Sequence, residues 1–318
     1  MKLLITGSTG FVGQHLVTEL AKRHLSYKLA VKNSFNVGND DHSIHVGDIN
    51  AQTTWSNALE GVTDVVHLAA RVHITQETST DAYAAFRAVN TAGTLNLARQ
   101  AAAAGVRRFV FLSSIKVNGE GSPHAYLETN TPAPEDAYAL SKWEAEQGLW
   151  DISTKTGMQV VILRIPLVYG PGVGANFLQL LQTVNKGWPL PLRGIENRRS
   201  LLYIGNLVDA ILAVLEHPHA ANKLYLLSDG QDVSTSQLVD RIAQALNKPP
   251  LLFAVPQGLI RAAAGVLGKS SAMDRLFGSL YLDSSKIQQE LGWVPPFSLQ
   301  QGLGETANWF LNTQHTLR

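Results

Sequence analysis

Thr6-Gly7-Ser8-Thr9-Gly10-Phe11-Val12-Gly13 stands between an apolar run, Lys2 to Thr6, and an amphipathic stretch that continues to about Arg23. The apolar run reads as a buried strand and the amphipathic stretch as a helix, so the glycines fall in the turn between them. Gly7 permits a tight turn, Gly10 lets the backbone approach a pyrophosphate, and Gly13 allows helix and strand to pack closely. The helix N-terminus adds free amides and a partial positive charge suited to an anion. A G-x-x-G-x-x-G run is weak evidence wherever it occurs and can be a structural turn. Its place directly after an N-terminal strand favours a phosphate cradle.

Outward from that turn, short apolar runs alternate with amphipathic stretches, the pattern of β-α-β units and a parallel sheet. Further strands are expected at Tyr27 to Lys32, Ile44 to Val46, Asp64 to Leu68, Phe109 to Ser113 and Gln159 to Arg164. One long helix is expected from Asp81 to Ala104, stopped by Gly105, and another from Asp136 to Thr156, stopped by Gly157. After Ile165-Pro166 the texture changes, with Pro166, Pro171, Pro189, Pro191 and several glycines between shorter elements. The expected architecture is a doubly wound Rossmann sheet over 1–165, rejoined by a segment at about 200–228. Residues 166–199 and 229–318 would form a smaller C-terminal α/β domain.

The 318-residue chain is long enough for two cores, and its hydrophobic (45%) and charged (16%) fractions are those of an ordinary globular protein. A formal charge of +1 gives no electrostatic case for nucleic acid or an anionic membrane as main partner. The absence of cysteine excludes disulfides, thiolate nucleophiles and cysteine-ligated metals. The close pairs His42/His45 and His217/His219 have no third ligand near them, so no metal is expected. No signal peptide or membrane-spanning run is evident, and a cytoplasmic location is the expectation.

Two positions bear on which dinucleotide the cradle takes. An acidic residue at the end of the second strand would hold a ribose 2′-hydroxyl, but Val31-Lys32-Asn33 carries none. Lys32 either meets the 2′-phosphate of NADP or is a solvated surface lysine, and NADP(H) is expected ahead of NAD(H). Asp48, after the third strand, is placed for an adenine amino group or is an ordinary turn aspartate.

The chemistry points to Tyr138-Ala139-Leu140-Ser141-Lys142. The i,i+4 spacing puts Tyr138 and Lys142 on one helix face, where an ammonium would lower the tyrosine pKa and let Tyr138 trade a proton with a carbinol or carbonyl. Such a pair also arises by chance on surface helices. Ser113-Ser114 at the end of a strand strengthens the reading, because ligands of doubly wound sheets bind at the carboxyl ends of strands. Ser114 is then either a second donor to the substrate oxygen or a simple cap.

Thr6 to Gly13, His67-Leu68-Ala69-Ala70, Ser113-Ser114, Tyr138 to Lys142 and Arg164-Ile165-Pro166-Leu167-Val168-Tyr169-Gly170-Pro171-Gly172 together resemble an extended short-chain dehydrogenase/reductase. The likeness extends through Asn197-Arg198-Arg199-Ser200 and Asp283-Ser284-Ser285-Lys286 to Leu291-Gly292-Trp293, and its branch is that of NAD-dependent nucleotide-sugar epimerases and dehydratases. The resemblance implies Tyr138 as acid/base, Lys142 as its partner and Ser114 as second donor. For the cofactor it implies Gly7, Thr9, Gly10, Phe11, Val12, Gly13, Lys32, Asp48, Ile49, Leu68, Ala69, Ala70 and Pro166, with Tyr138 and Lys142. For a UDP-sugar it implies Ser114, Lys116, Asn176, Arg199 and Arg275, with Leu190 and Leu192 flanking the uracil. The arginines could equally make surface salt bridges.

Two departures narrow the reaction. Dehydratases of this branch carry Asp-Glu where this chain has Ile115-Lys116, so water elimination is not expected. The usual Tyr-Gly is replaced by Asn118-Gly119. Ser113 to Glu120 is most similar to bacterial reductases of UDP-4-keto-6-deoxy-N-acetylglucosamine that form UDP-N-acetylquinovosamine for surface polysaccharides. Reduction at C4 is therefore the first expectation, with UDP-glucose or UDP-N-acetylglucosamine 4-epimerisation as the alternative and a non-catalytic cofactor-binding regulator as a reading of another class. A homodimer paired through the helices at 81–104 and 136–156 is expected. The apolar residues Phe86, Val89, Leu95 and Leu97 of the first helix could also be buried within the subunit.

Overall fold

A computed structural model describes residues 1–32, 42–72, 81–256, 258 and 276–316. Strand β1 (Lys2–Thr6) is buried from Leu3 onward and pairs in parallel with β2 (Ser26–Val31) on one side and β4 (Asp64–His67) on the other. β3 (Ser43–His45) lies outside β2, while β5 (Arg108–Ser114), β6 (Gln159–Ile165) and β9 (Lys223–Leu226) follow β4. The resulting order is β3-β2-β1-β4-β5-β6-β9, parallel throughout. The chain reverses direction across the sheet between β1 and β4, and that switch opens a crevice at the carboxyl ends of the strands.

Both faces of the sheet are covered, which explains why its strands read as continuous apolar runs. Side chains alternate. Leu3, Ile5, Val110, Val161 and Leu163 pack with Leu16 and Leu20 of α1 (Phe11–Lys22) and with α7 (Ile204–Glu216). Leu4, Phe109, Phe111, Val160 and Ile162 face the other way, onto Leu97 and Ala101 of α4 (Thr94–Ala103) and Ala145, Leu149 and Ile152 of α5 (Ala137–Thr156). β7 (Leu167–Tyr169) and β8 (Leu201–Tyr203) form a separate parallel pair. Around them lie α6 (Ala175–Asn185), α8 (Thr235–Ala245), α9 (Ser285–Leu291) and α10 (Leu299–Thr316). The first core is continuous from Leu3 to Phe310, so those later elements share it with the sheet.

The single helix expected over 81–104 is broken. α3 (Ala82–Phe86) passes into a π-helical turn, Arg87–Gly93, before α4 begins. Two contacts from distant parts of the chain meet the wider turn. Thr91 Oγ1 donates to the Ser141 carbonyl at 2.9 Å. Gly93 has no Cβ to collide with Ile49, whose Cγ2 would lie 2.7 Å from one. The helix expected from Asp136 does form: Asp136 caps it by accepting from the Ala139 amide at 2.7 Å, and Gly157 ends it in the left-handed region, φ 77°. The apolar residues considered for a subunit interface are partly consumed inside the fold. Phe86 and Leu97 are buried, and Leu95 lies over Gly148, where a Cβ would come within 2.5 Å of it.

Along α5, Tyr138, Lys142 and Glu146 recur every fourth residue and so share one face. Glu146 anchors that face. Its carboxylate accepts from Arg164 of β6 at 2.5 Å and from Ser113 Oγ of β5 at 2.5 Å, while Arg164 Nη1 reaches Asn118 Oδ1 at 2.8 Å. Both charged side chains are nearly fully buried, at 0% and 4% exposed. Deleting one partner of such a pair leaves the other charge unpaired in the interior. Glu146→Ala is expected to lower stability by about 3–5 kcal/mol in urea unfolding; a loss below ~1 kcal/mol would show that the pair does not staple α5 to the sheet.

Candidate active site

Successive residues at the end of β5 point opposite ways, so Ser113 turns inward to Glu146 while Ser114 turns outward to the crevice. There the Ser114 and Tyr138 side chains hydrogen-bond each other. Phe86 meets the Tyr138 ring edge-on, with centroids 6.1 Å apart. Lys142, one turn further, is buried; its Nζ donates to the Leu112 carbonyl at 2.8 Å and lies 4.4 Å from the centre of the Phe111 ring. The three residues read as a constellation are thus brought together at the carboxyl end of the sheet.

Their electrostatics differ from expectation. Burial, and after it the Asp136 carboxylate, push the Tyr138 phenol up to about 12, with only the Ser114 hydrogen bond opposing them. The expected lowering by Lys142 is absent because burial pulls that ammonium itself down to about 7 and its hydrogens serve a backbone carbonyl. Underneath, His67 bridges Thr6 Oγ1 at 2.7 Å and Thr94 Oγ1 at 2.8 Å. Burial, then the Lys142 charge, hold its pKa near 3, so it is a neutral packing element.

The glycine cradle is built as its spacing suggests. Gly7 adopts φ 72°, and a Cβ there would sit 2.7 Å from the Ala69 amide. A Cβ on Gly13 would come 2.1 Å from the Gly7 carbonyl oxygen, so the helix can only approach the turn without one. A Cβ on Gly10 would meet only the Gly7 carbonyl, at 3.3 Å, which leaves its outer side open. No side chain caps the start of α1, so its first amides are available to an anion. Thr9 and Gly10 are exposed at the mouth, Phe11 and Val12 half-buried beside it. Thr6 Oγ1 accepts from the Ala69 amide at 3.2 Å and so fixes Leu68, Ala69 and Ala70 next to the cradle. This donor set fits a dinucleotide pyrophosphate.

Lys32 and Asp48, which the sequence assigned to two different parts of a cofactor, are joined to each other in an exposed ion pair of 2.5 Å. Ile49 is half-buried against Gly93, and Pro166 is buried between β6 and β7. Of the substrate candidates, Asn176 is exposed in the first turn of α6. Arg199 is half-buried, its backbone paired with Val233 and its Nη1 donating to the Gly278 carbonyl at 3.2 Å. Burial lowers its pKa against the pull of Glu120. Leu190 is half-buried and hydrogen-bonds Leu251 and Phe253 through its backbone. Leu192 is packed into the core at 6% exposure, which leaves little of it for a uracil to touch. Lys116 does not reach freely into the crevice, since its ammonium is held by Glu120 at 2.6 Å and Asp136 at 2.8 Å. Arg275 lies outside the described residues.

Some residues that build the site were not singled out by motif. Buried Asn90 accepts from the Arg71 amide at 2.8 Å and donates to the Arg71 carbonyl and to Ser141 Oγ, both at 3.0 Å. It ties the loop after β4 to α5. A polar residue on the inward side of an apolar-patterned helix was the available signal. Glu146, one helix turn along from Lys142, was another. Among the described residues, no cluster of three or more His, Asp or Glu could hold a metal.

Three comparisons bear on identity. The model of the NAD-dependent epimerase/dehydratase family matches residues 3–227. A UDP-glucose 4-epimerase of Vibrio cholerae is 46% identical over 317 residues, covering 98% of this chain and 96% of its own. Among solved structures, a UDP-glucose 4-epimerase of Thermotoga maritima with UDP-glucose aligns with TM-score 0.76 at 22% identity, covering 99% of this chain and 100% of that one. A Thermus thermophilus UDP-glucose 4-epimerase in complex with NAD aligns with TM-score 0.75 at 24% identity, covering 98% and 99%. The cradle at the switch point, the Ser114–Tyr138 contact and the match over most of its length make this chain a member of the NAD-dependent epimerase/dehydratase family.

Proposed function

We propose that the protein interconverts the C4 epimers of a UDP-hexose, using NAD held in the glycine cradle. The observation that carries this reading is the composition of the site at Ser114. A single proton-transfer pair, Ser114–Tyr138, is followed by the buried side chain of Ile115 and by Lys116, whose charge is spent on two carboxylates. Such a site suits proton exchange at one carbinol and lacks the acid that water elimination needs. The kinship with the Vibrio cholerae 4-epimerase supports epimerisation over the C4 reduction suggested by Ser113 to Glu120.

In this reading Tyr138, as phenolate, takes the proton of the C4 hydroxyl while Ser114 holds the same oxygen. A dinucleotide held by the Gly7, Gly10 and Gly13 cradle and the free first amides of α1 would supply the hydride acceptor and donor for C4. Tyr138 then gives its proton back to the new alkoxide, so protons and electrons balance over the cycle. Lys142 fixes the inner end of the site through its bond to the Leu112 carbonyl. Asn176 and Arg199, with Arg275, are the proposed diphosphate ligands, a guanidinium giving paired, charge-assisted hydrogen bonds. Residues 166–199 and 229–318 would hold the nucleotide-sugar against the dinucleotide on 1–165. No described helix is long and apolar enough to cross a membrane, and a cytoplasmic homodimer using the outer surfaces of α4 and α5 is the accompanying proposal.

NAD is proposed over NADP because Lys32 is already paired with Asp48, so a 2′-phosphate would have to compete for it. Asp48→Asn should therefore tighten NADPH roughly fivefold, the scale of one exposed ion pair, and leave NADH nearly unchanged by fluorescence titration. Equal effects on both would remove Lys32 from cofactor selection.

Purified protein incubated with UDP-glucose, and separately with UDP-N-acetylglucosamine, should yield the C4 epimer by chromatography without consuming added NADPH. Stoichiometric NADPH loss with UDP-4-keto-6-deoxy-N-acetylglucosamine, and no epimer, would replace this reading with the reductase. Tyr138→Phe should cut kcat by about 10²–10⁴ while dinucleotide binding persists. Because the phenol is held high, the phenolate fraction and with it kcat/KM should rise with pH from about 6 to 8; a flat profile would take Tyr138 out of the proton transfer.

A further inference from the structure

Lys116 sits where a dehydratase would carry an acid, and its surroundings give it a different task. Its backbone amide donates to Ser114 Oγ at 3.3 Å, so it helps orient the hydroxyl that contacts Tyr138. Its ammonium donates to Asp136 Oδ2 at 2.8 Å, while Asp136 Oδ1 accepts from the Ala139 amide at 2.7 Å and caps α5 two residues before Tyr138. The second bond of the ammonium goes to Glu120 at 2.6 Å, and the charge of Glu120 acts in turn on Arg199. One lysine therefore connects the end of β5 to the first turn of α5 and to Glu120.

We propose that Lys116 is a positioning residue for the proton transfer: it clamps the Asp136 cap, fixes where α5 presents Tyr138 to Ser114, and offsets the carboxylate that the cap places beside that phenol. The inference deepens the proposed epimerase reading and rests on it for its kinetic arm only. The groups around Tyr138 come from three elements. α5 contributes Asp136 and Lys142; the end of β5 and the turn after it contribute Ser114 and Lys116, with Glu120 beyond. α3 contributes the uncharged Phe86 ring, over which the Arg71 guanidinium lies at 5.7 Å. Of these charges, Asp136 is the one that raises the phenol, and Lys116 is its direct partner. Lys116 remains charged there because, although burial opposes it, Asp136 and Glu120 raise its pKa.

The experiment compares wild type, Lys116→Met, Lys116→Arg and the double variant Lys116→Met/Asp136→Asn in the full chain. Asparagine caps a helix about as well as aspartate, so Asp136→Asn removes the charge and keeps the cap. The first readout is kcat/KM for the UDP-hexose between pH 6.5 and 9. Lys116→Met should fall about tenfold, through kcat and not KM, with Lys116→Arg near wild type and the double variant recovering most of the loss. A loss confined to KM would mark Lys116 as a substrate ligand and overturn the proposal. A loss not repaired by Asp136→Asn in well-folded protein would reduce Lys116 to a structural residue. The second readout needs no substrate: tyrosinate absorbance, with each background corrected by its own Tyr138→Phe variant. The pH at which a tenth of Tyr138 has ionised should be latest in Lys116→Met and earliest in the double variant. The same onset in all four proteins would overturn the proposal, whatever the sugar turns out to be. If wild type turned over no UDP-hexose, the epimerase reading would fail and this titration alone would decide the role of Lys116.

Discussion

The buried ion pair between Glu146 and Arg164 is the interaction on which the site's geometry depends. Two charges removed from water are costly unless every lone pair and proton is matched, and here Ser113 and Asn118 complete the matching. The pair joins α5 to β5 and β6 at a defined height. Because α-helical side chains recur every fourth residue, fixing Glu146 also fixes Lys142 and Tyr138 above it. Because strand side chains alternate, turning Ser113 inward to Glu146 turns Ser114 outward to Tyr138. One anchor therefore sets both members of the proposed proton-transfer pair.

The rest of the crevice follows from the order of the sheet. Reversal of strand order between β1 and β4 leaves a gap at the carboxyl ends, and the cradle of Gly7, Gly10 and Gly13 lies at its edge. His67, neutral and bonded to two threonines, fills the space under the gap, and Thr6 fixes the Ala69 loop beside it. Asn90 then connects the loop after β4 to Ser141 on α5. Its seat in a π-helical turn belongs to this arrangement, since regular helix through Arg87–Gly93 would rotate Asn90 and Thr91 relative to α5.

Much of this was legible from local patterns. The strands of the sheet, the helix from Asp136 and its stop at Gly157, the cradle and the Ser114-Tyr138-Lys142 constellation all leave marks within a few residues of sequence. What could not be read depended on partners distant in the chain. The π-helical turn lies where Ser141 and Ile49, both distant in the chain, meet a stretch whose periodicity alone looks like one regular helix. Lys32 and Asp48 each suited a cofactor contact, and only the fold shows them neutralising each other. Lys142 suggested a tyrosine of lowered pKa, but burial acts on both groups at once and moves each toward its neutral form. Leu192 fitted a pattern of nucleotide contacts, yet the core claims most of its surface.

The central claim is that Ser114 and Tyr138 act on a single carbinol, whose hydride leaves and returns to the same carbon. It is tested most directly by turnover of UDP-hexose deuterated at C4, with the product read by mass spectrometry and proton NMR. The account predicts the inverted sugar with deuterium retained at C4 and no solvent hydrogen at any carbon. Deuterium lost to free nicotinamide, washed out to water, or accompanied by solvent hydrogen at C5 would contradict it.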